Sequence, residues 1–406
     1  MRISTSMYFQ TGLNTINQQQ ADLVKLFQQT GTGQRMVTPS DDPLAAAQTI
    51  NLAQAQAMNQ RFGENRGVAQ RALSEEENIL NSVTLQLQDV QTRLLEAANG
   101  TLSDADRNTL ATVLQTALDT LVGLANSKDG SGQYLFSGSQ GQTAPFQFDG
   151  TSYSYHGDTL GRPIQVEQTR QLDSSDHGQT LFMRANPGSL SYMTQAAAGN
   201  TGTGVISGPS VSPGNSAGHY RIVFTSPTDY TVEVDGVPDP NGPFTLPSSD
   251  KEQTINLASG VSVKFSGQPA AGDQFDVSSA AQTDMNLFDT LQRMADALKT
   301  PLGDDPALKA ALRNTLNSSI QRVAENYDNV LTVRSSVGTR LNELDALSAN
   351  GSLRQLNYRQ ELSRLEDLDY YQASTQLELR KSALEAAALA FRKIQSLNLF
   401  GLRGNG

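Results

Sequence analysis

Residues 370–394 read YYQASTQLELRKSALEAAALAFRKI, and residues 13–27 read LNTINQQQADLVKLF. In both stretches apolar residues recur at spacings of three and four, the heptad pattern of a helix that buries a narrow stripe against another helix. Because more than 300 residues separate them, we predict a chain that returns to its starting point, with two terminal helices that form an assembly interface. The predicted interface positions are Leu13, Ile16, Leu23, Phe27, Leu377, Leu384, Ala387, Phe391 and Ile394.

Composition limits the class of protein. The 406 residues carry a net charge of −11, which disfavours nucleic acid or an anionic membrane as a partner. Cysteine is absent, so disulfides, thiolate metal sites and thiol nucleophiles are excluded. We expect no membrane insertion and no signal peptide, because no apolar run reaches the roughly 18 residues of a membrane span. Taken alone, these features are typical of a cytoplasmic helical protein.

Two long helices are predicted on either side of the centre. The first begins at Pro43, where Ser40, Asp41 or Asp42 provides a capping side chain. The second is expected to be interrupted or ended at Asn350-Gly351. Both carry apolar residues seven apart, namely Leu73, Leu80, Leu87 and Leu94 in the first and Val323, Val330, Val337 and Leu344 in the second. The predicted seam of the second helix also includes Tyr327 and Leu341.

Between these helices the apolar period changes to two. Residues 133–171 contain a hairpin signal at Asp149-Gly150, which predicts a small β extension. Residues 172–283 are rich in Gly, Pro, Ser and Asp and contain short alternating runs, for example at 220–224 and 261–265. We interpret 172–283 as a compact all-β domain of sandwich or barrel type, inserted into a helical domain and acidic enough to face water.

The predicted fold class is therefore α+β multidomain. A long α-helical coiled-coil rod is formed by the N- and C-terminal segments, and it carries a β extension and an inserted all-β domain. The predicted domains are a terminal coiled-coil assembly domain (1–42 and 365–406), a helical rod domain (43–171 and 284–364, with the β extension at about 133–171) and an outer domain (172–283).

No arrangement of side chains indicates an enzyme, a cofactor or a metal site. His156, His177 and His219 lack the spacing of metal ligands, so we interpret them as surface or structural residues. The pair Asp41-Asp42 is interpreted as a helix cap rather than as catalytic carboxylates, because it directly precedes Pro43.

Two charged groups on the helices leave alternatives open. Glu75-Glu76-Glu77 is expected to be a solvated helix face, with calcium attraction as the alternative. Arg334 and Arg340 are expected to form exposed or interhelical ion pairs, with a role in subunit register as the alternative.

Several segments resemble the bacterial flagellin family, and in particular its hook-associated members. The likeness covers about residues 1–171 and 284–406, whereas 172–283 is the variable part. The segments that carry it are Met1–Thr5, Thr38–Pro43, Tyr134–Gly138, Val337–Asn342 and Lys393–Phe400.

The resemblance implies a structural part of the bacterial flagellum that joins the hook to the filament outside the cell. Such proteins leave the cell unfolded through a type III export channel and lack a cleaved signal peptide. The implied partners are copies of the chain itself, the hook-side hook-associated protein, flagellin, a cytoplasmic export chaperone and the type III export apparatus. We also expect the terminal helices to finish folding only on assembly.

Two alternatives remain open for the function. In the first alternative the chain is a filament flagellin subunit. In the second it is a secreted surface-binding protein that acts through residues 172–283. In the latter case Tyr220 and Tyr230 could stack on carbohydrate, although strand alternation places them equally well in a core.

Overall fold

The computed structural model describes residues 5–186, 188–212, 218–247 and 251–401, without the side chains of residues 5, 6, 8, 9 and 394–401. The chain separates into two compact units. We call Met1–Glu64 with Leu347–Gly406 the terminal unit, and Asn65–Ala346 the central unit. Among the described residues, no helix combines the length and the apolarity needed to cross a membrane.

The helices within the described ranges are α1 (Thr5–Thr32), α2 (Pro43–Ala97), α3 (Asp104–Ala125), α4 (Gly178–Phe182), α5 (Leu287–Lys299), α6 (Pro306–Glu366) and α7 (Tyr370–Gly401). The strands are β1 (Phe146–Phe148), β2 (Tyr153–Tyr155), β3 (Pro163–Glu167), β4 (Arg170–Asp173), β5 (Tyr192–Ala196), β6 (Val205–Val211), β7 (His219–Phe224), β8 (Asp229–Val234), β9 (Val237–Pro238), β10 (Phe244–Thr245), β11 (Gln253–Asn256), β12 (Val261–Ser266) and β13 (Gln274–Ser279). This combination of long terminal helices and several sheets confirms the α+β multidomain class. The predicted limits of the three domains stay a prediction.

The heptad stripes of α2 and α6 are satisfied inside the central unit. The eight positions seven apart, from Leu73 to Leu94 and from Val323 to Leu344, are fully buried, whereas Tyr327 and Leu341 of the predicted seam are half-buried. The two helices run antiparallel here, because Glu77 contacts Arg334 and Gln88 donates to Tyr327 Oη at 2.7 Å. At roughly 25 cal/mol per Å² of apolar surface, this burial is the main favourable contribution to the stability of the pair.

One helix boundary was predicted wrongly. Helix α6 runs without interruption through Asn350-Gly351 to Glu366. Gly351 is buried, and its carbonyl oxygen accepts a hydrogen bond from Asn59 Nδ2 at 2.9 Å. A glycine costs a helix about 1 kcal/mol relative to alanine. Here burial of Gly351 and its hydrogen bond with Asn59 of α2 stabilise the helix, so tertiary packing outweighs the weak helix propensity.

The β extension forms as predicted and packs on helix α5. Strands β1 and β2 are antiparallel and are joined at Asp149–Ser152. Asn286 caps α5 and also donates from Nδ2 to the Tyr153 carbonyl at 2.8 Å. Phe146 lies against Phe288 with ring centroids 4.9 Å apart. Hairpin and helix therefore share one aromatic cluster.

The region from β5 to β13 is a two-sheet sandwich. One sheet has the order β10-β8-β7-β13-β5 with β9 beside β8, and the other has the order β11-β12-β6. Phe265 of the smaller sheet packs on Phe224 and Phe275 of the larger sheet, at centroid distances of 5.0 and 5.2 Å. Tyr220 and Tyr230 belong to the same buried core. They are therefore not available to stack on a ligand at the surface.

The two charged groups on the helices have different outcomes. The interhelical ion pair of Arg334 with Glu77 confirms the expected pairing. For Arg340 the expectation was wrong in part, because its partner Asp176 lies in the segment between β4 and α4 and the arginine side chain is mostly buried. The expectation of a solvated Glu75–Glu77 face was wrong for Glu76, which is fully buried. Its Oε1 accepts the backbone N–H of Asp176 at 2.9 Å. The segment after β4 covers this carboxyl group, which the helical pattern alone could not reveal.

Candidate assembly interface

The terminal helices α1 and α7 form an antiparallel pair in the terminal unit. A Cβ atom added to Gly12 would lie 3.3 Å from Phe391 Cδ2, so the aromatic ring of Phe391 packs directly on Gly12 at this end. Near the middle, Asp22 and Arg380 form an ion pair. Helix α1 thus meets α7 in reverse order along its length, and the two ends of the chain are partners in one helix pair.

A short backbone ladder joins the two segments at the end of α1. Gly33 O accepts the N–H of Leu368 at 2.9 Å, and Arg35 donates its N–H to Glu366 O at 2.7 Å. Gly33 has a φ of +72°, a conformation that glycine adopts without steric cost. This turn ends α1 and directs the chain onto the α6–α7 connection.

The following segment is fixed by two aspartates. Asp41 pairs with Lys25 at 2.8 Å and accepts the backbone N–H of Thr38 at 2.9 Å. These hydrogen bonds, that from Lys25 foremost, lower the pKa of Asp41 to about 2. Asp42 accepts the N–H of Ala45 at 3.0 Å, so it caps α2 and confirms the interpretation of a helix cap for Asp42. Asp41 instead bonds the backbone ahead of the helix.

The predicted interface residues fall into three groups. Ile16, Leu23, Leu377, Leu384, Ala387 and Phe391 are half-buried in the terminal unit. Leu13 and Phe27 are exposed, Phe27 to 56%. Ile394 lies among the residues whose side chains are not described. Their role in assembly stays a prediction.

The sequence reasoning missed the side chain that closes the helix pair, Leu26. Leu26 is 7% exposed, whereas its neighbour Phe27 points to solvent. Both lie at an allowed heptad step from Leu23, three residues and four residues respectively, so periodicity alone could not choose between them. Ala373 of α7 is also buried, and its small side chain allows the close approach.

The terminal unit leaves most of its apolar surface uncovered. Among the described residues its only buried aliphatic side chains are those of Leu26, Ala45 and Ala373, and thirteen of its large apolar side chains are exposed. The central unit shows the reverse, with 54 buried apolar residues and nine exposed ones in its described part. Exposed apolar surface of this extent marks a binding surface. The exposed side chains are Met7, Leu13, Val24, Phe27, Leu44, Ile50, Met58, Leu353, Leu356, Tyr370, Tyr371, Leu379 and Leu389.

The three histidines make local hydrogen bonds within the fold. His177 caps the short helix α4, and His219 Nδ1 bonds Ser278 Oγ at 2.5 Å. His156 Nε2 bonds Ser154 Oγ at 2.9 Å. Over the described ranges, no group of three or more His, Asp or Glu side chains is placed to hold a metal ion.

Two family descriptions match the chain at its two ends. Residues 3–141 match the bacterial flagellin N-terminal helical region, and residues 320–402 match the bacterial flagellin C-terminal helical region. The chain is 32% identical to the flagellar hook-associated protein 3 of Escherichia coli strain K12 over 402 residues, which is 99% of each protein.

Solved structures of similar proteins agree with this match. The FlgL structure from Xanthomonas campestris is 30% identical in sequence and has a TM-score of 0.66. The match covers 77% of this chain and 99% of the FlgL chain. The flagellar junction protein FlgL from Legionella pneumophila is 28% identical, with a TM-score of 0.62 over 79% of this chain and 100% of that one.

Proposed function

Because this chain belongs to the bacterial flagellin family and to its flagellar hook-associated protein 3 group, we propose that it joins the hook to the flagellin filament. The role is structural rather than catalytic. Its partners are copies of itself, the hook-side hook-associated protein and flagellin, and its location is the hook–filament junction outside the cell. The likeness to a flagellar junction protein over most of the chain supports this role over that of a filament subunit.

The observation that carries the proposal is the uncovered apolar surface of the terminal unit. Val24 and Phe27 on α1 and Leu379 and Leu389 on α7 are all more than half exposed. Full burial of one such side chain contributes about 1.5–3 kcal/mol, less the entropy of ordering it. Several of them together favour helix packing between subunits, with terminal helices of neighbouring copies as the matching surface.

An open assembly follows from the kind of contact this surface makes. Helix α1 and helix α7 expose different apolar residues. When α7 of one subunit contacts α1 of its neighbour, the two contacting patches are therefore unlike. Contacts between unlike patches are heterologous and propagate along a ring or a helix rather than closing a dimer. A subunit of this kind presents different faces to a hook-side and a filament-side partner.

Export through a type III channel fits the absence of cysteine, because a chain without disulfides unfolds and refolds without redox chemistry. The thin core of the terminal unit, with three buried apolar residues among those described, makes its terminal helices easy to separate. We infer that an export chaperone holds the exposed apolar side of α7 before assembly.

A deletion strain tests the function directly. Cells that lack this protein are expected to keep intact hooks, to lack attached filaments and to release flagellin into the medium. Negative-stain electron microscopy and immunoblots of the medium measure these outcomes. A filament subunit would instead leave hooks without a pool of released flagellin, and that result would overturn the proposal.

Point variants test the surface itself. Phe27→Ser and Leu379→Ser are expected to abolish filament attachment when they complement the deletion strain, with normal protein levels in the cell. Leu190→Ser, which changes a comparably exposed residue of the central unit, is the matched control and should restore filaments. Filaments restored equally by all three variants would contradict assembly through the terminal helices.

A further inference from the structure

The central unit contains a cavity of about 320 Å³ between the sandwich and the helices. It is lined by Gln195 at the end of β5, by the segment that follows β5, and by one side each of α5 and α6. The proposed joining function rests on the terminal unit and makes no use of this cavity. Its volume is at the lower end of the range for small-molecule sites, about 300–1,000 Å³.

The wall of the cavity includes a buried arginine, Arg322 of α6. It is 2% exposed, and among the fully buried side chains in the described residues it is the largest. Its Nη2 donates to Gln195 Oε1 at 2.6 Å. Its Nε is buried and has no hydrogen-bond partner among the described residues. A buried charge without full compensation is costly, so an anion near the guanidinium group would be favoured, although Nε itself is closed off from the cavity.

A second arginine, Arg293 of α5, lines the same cavity. Burial first, and the charge of Arg293 second, lower the pKa of Arg322 to about 10. The two arginines thus line one cavity, and the positive charge of Arg293 disfavours that of Arg322. An acidic side chain between the two arginines would reduce their mutual repulsion, and acidic residues outnumber basic ones in this chain of net charge −11.

The described residues that line this cavity include no acidic side chain. Asp276 and Asp284 line a different cavity of about 190 Å³, in which Arg322 also takes part. Asp284 raises the pKa of Arg322, but less than burial and Arg293 lower it. The larger cavity thus carries two positive charges and no negative one.

We propose that this cavity is a binding site for a small oxyanion, held by the guanidinium groups of Arg322 and Arg293. Guanidinium donors form paired hydrogen bonds with phosphate, sulfate and carboxylate oxygens, so these groups are the ligand chemistry that fits. Ser318 also lines the cavity and provides a hydroxyl donor at its edge. Binding here would connect the sandwich to α5 and α6.

The test is titration calorimetry on the full-length protein with sodium phosphate, sodium sulfate and sodium acetate, each against sodium chloride at equal ionic strength. We expect saturable binding of at least one of the three oxyanions, and none of chloride. Strong preference for phosphate and sulfate would assign a tetrahedral ligand, and strong preference for acetate would assign a carboxylate.

Three variants locate the site. Arg322→Met and Arg293→Gln are expected to weaken binding at least tenfold. Arg313→Gln, an exposed arginine of α6 outside the cavity lining, is the matched control and should bind as the wild type does. Arg293 is exposed at the surface, so its variant keeps the test decisive if Arg322→Met does not fold. Absence of saturable binding in the wild type, or equal affinity in all variants, would overturn the proposal.

Discussion

Replacing Glu76 by glutamine should make the central unit more stable than in the wild type, and this difference should grow as the pH rises. Glu76 is fully buried, and its Oε2 has no hydrogen-bond partner among the described residues. Burial, and next the nearby carboxylate of Asp176, raise its pKa from 4.5 to about 8, although Arg340 opposes this change. The side chain is therefore protonated in the folded protein at neutral pH. Glutamine keeps the acceptor for the Asp176 N–H and removes the titration.

The sign and size follow from the difference between the two states. Between pH 4.5 and about 8 the unfolded chain ionises Glu76 and the folded protein does not. The stability that the neutral carboxyl provides is complete below pH 4.5, declines as the pH rises, and is lost at about pH 8. At about 1.4 kcal/mol for each pKa unit between the states, the loss amounts to about 5 kcal/mol. For a unit of this size, that corresponds to a midpoint difference on the order of 10 °C.

Scanning calorimetry of full-length wild type and Glu76→Gln between pH 4.5 and 9 measures this difference. The midpoint of the variant should rise relative to that of the wild type as the pH increases. Glu75→Gln changes the adjacent, half-buried carboxylate by the same chemistry and is the matched control. Parallel curves for wild type and Glu76→Gln would refute the reasoning, because they would mean that Glu76 titrates alike in both states.

Three further predictions concern packing, backbone and charge. Leu80→Ala at a fully buried heptad position should reduce the free energy of unfolding by about 2–5 kcal/mol, and Leu85→Ala at an exposed position of the same helix by far less, as urea unfolding will show. Gly33→Ala should destabilise the terminal unit by about 1 kcal/mol because of its φ of +72°, measured by loss of helical circular dichroism on heating; an unchanged melting curve would contradict the role of this turn. Asp41→Asn should lower stability at pH 7, where the wild-type carboxylate pairs with Lys25, and the difference from wild type should vanish as the pH falls to about 2; a difference that persists there would exclude the ion pair as its cause.

Much of the fold could be predicted from local pattern. The cap at Asp42, the hairpin at Asp149-Gly150 and the strands 219–224 and 261–266 all form near the expected positions. Each depends on residues a few positions apart, whose spacing and turn chemistry are written directly in the chain. The continuation of α6 through Gly351 was missed because the contact that stabilises it comes from the distant Asn59.

The candidate interface could be predicted only in outline. The spacing of apolar residues identified α1 and α7 as partners, and their antiparallel pairing follows in the structure from contacts such as that of Asp22 with Arg380. Which side chain closes the pair, Leu26 or Phe27, depends on the rotation of one helix against the other. Rotation is set by packing over the whole pair, and a heptad pattern with two adjacent apolar residues leaves it open.

By itself, the sequence determined the helical and strand periods, the turns and caps, the absence of disulfide chemistry and the resemblance to the flagellin family. Only the tertiary structure decided which groups lie away from water: Glu76 beneath the segment after β4, Arg322 in the wall of a cavity, and Phe27 left at the surface. The physical reason is that periodicity arises from bonds between near neighbours in the chain. Burial, and with it pKa, charge compensation and available binding surface, arises from residues brought together over hundreds of positions.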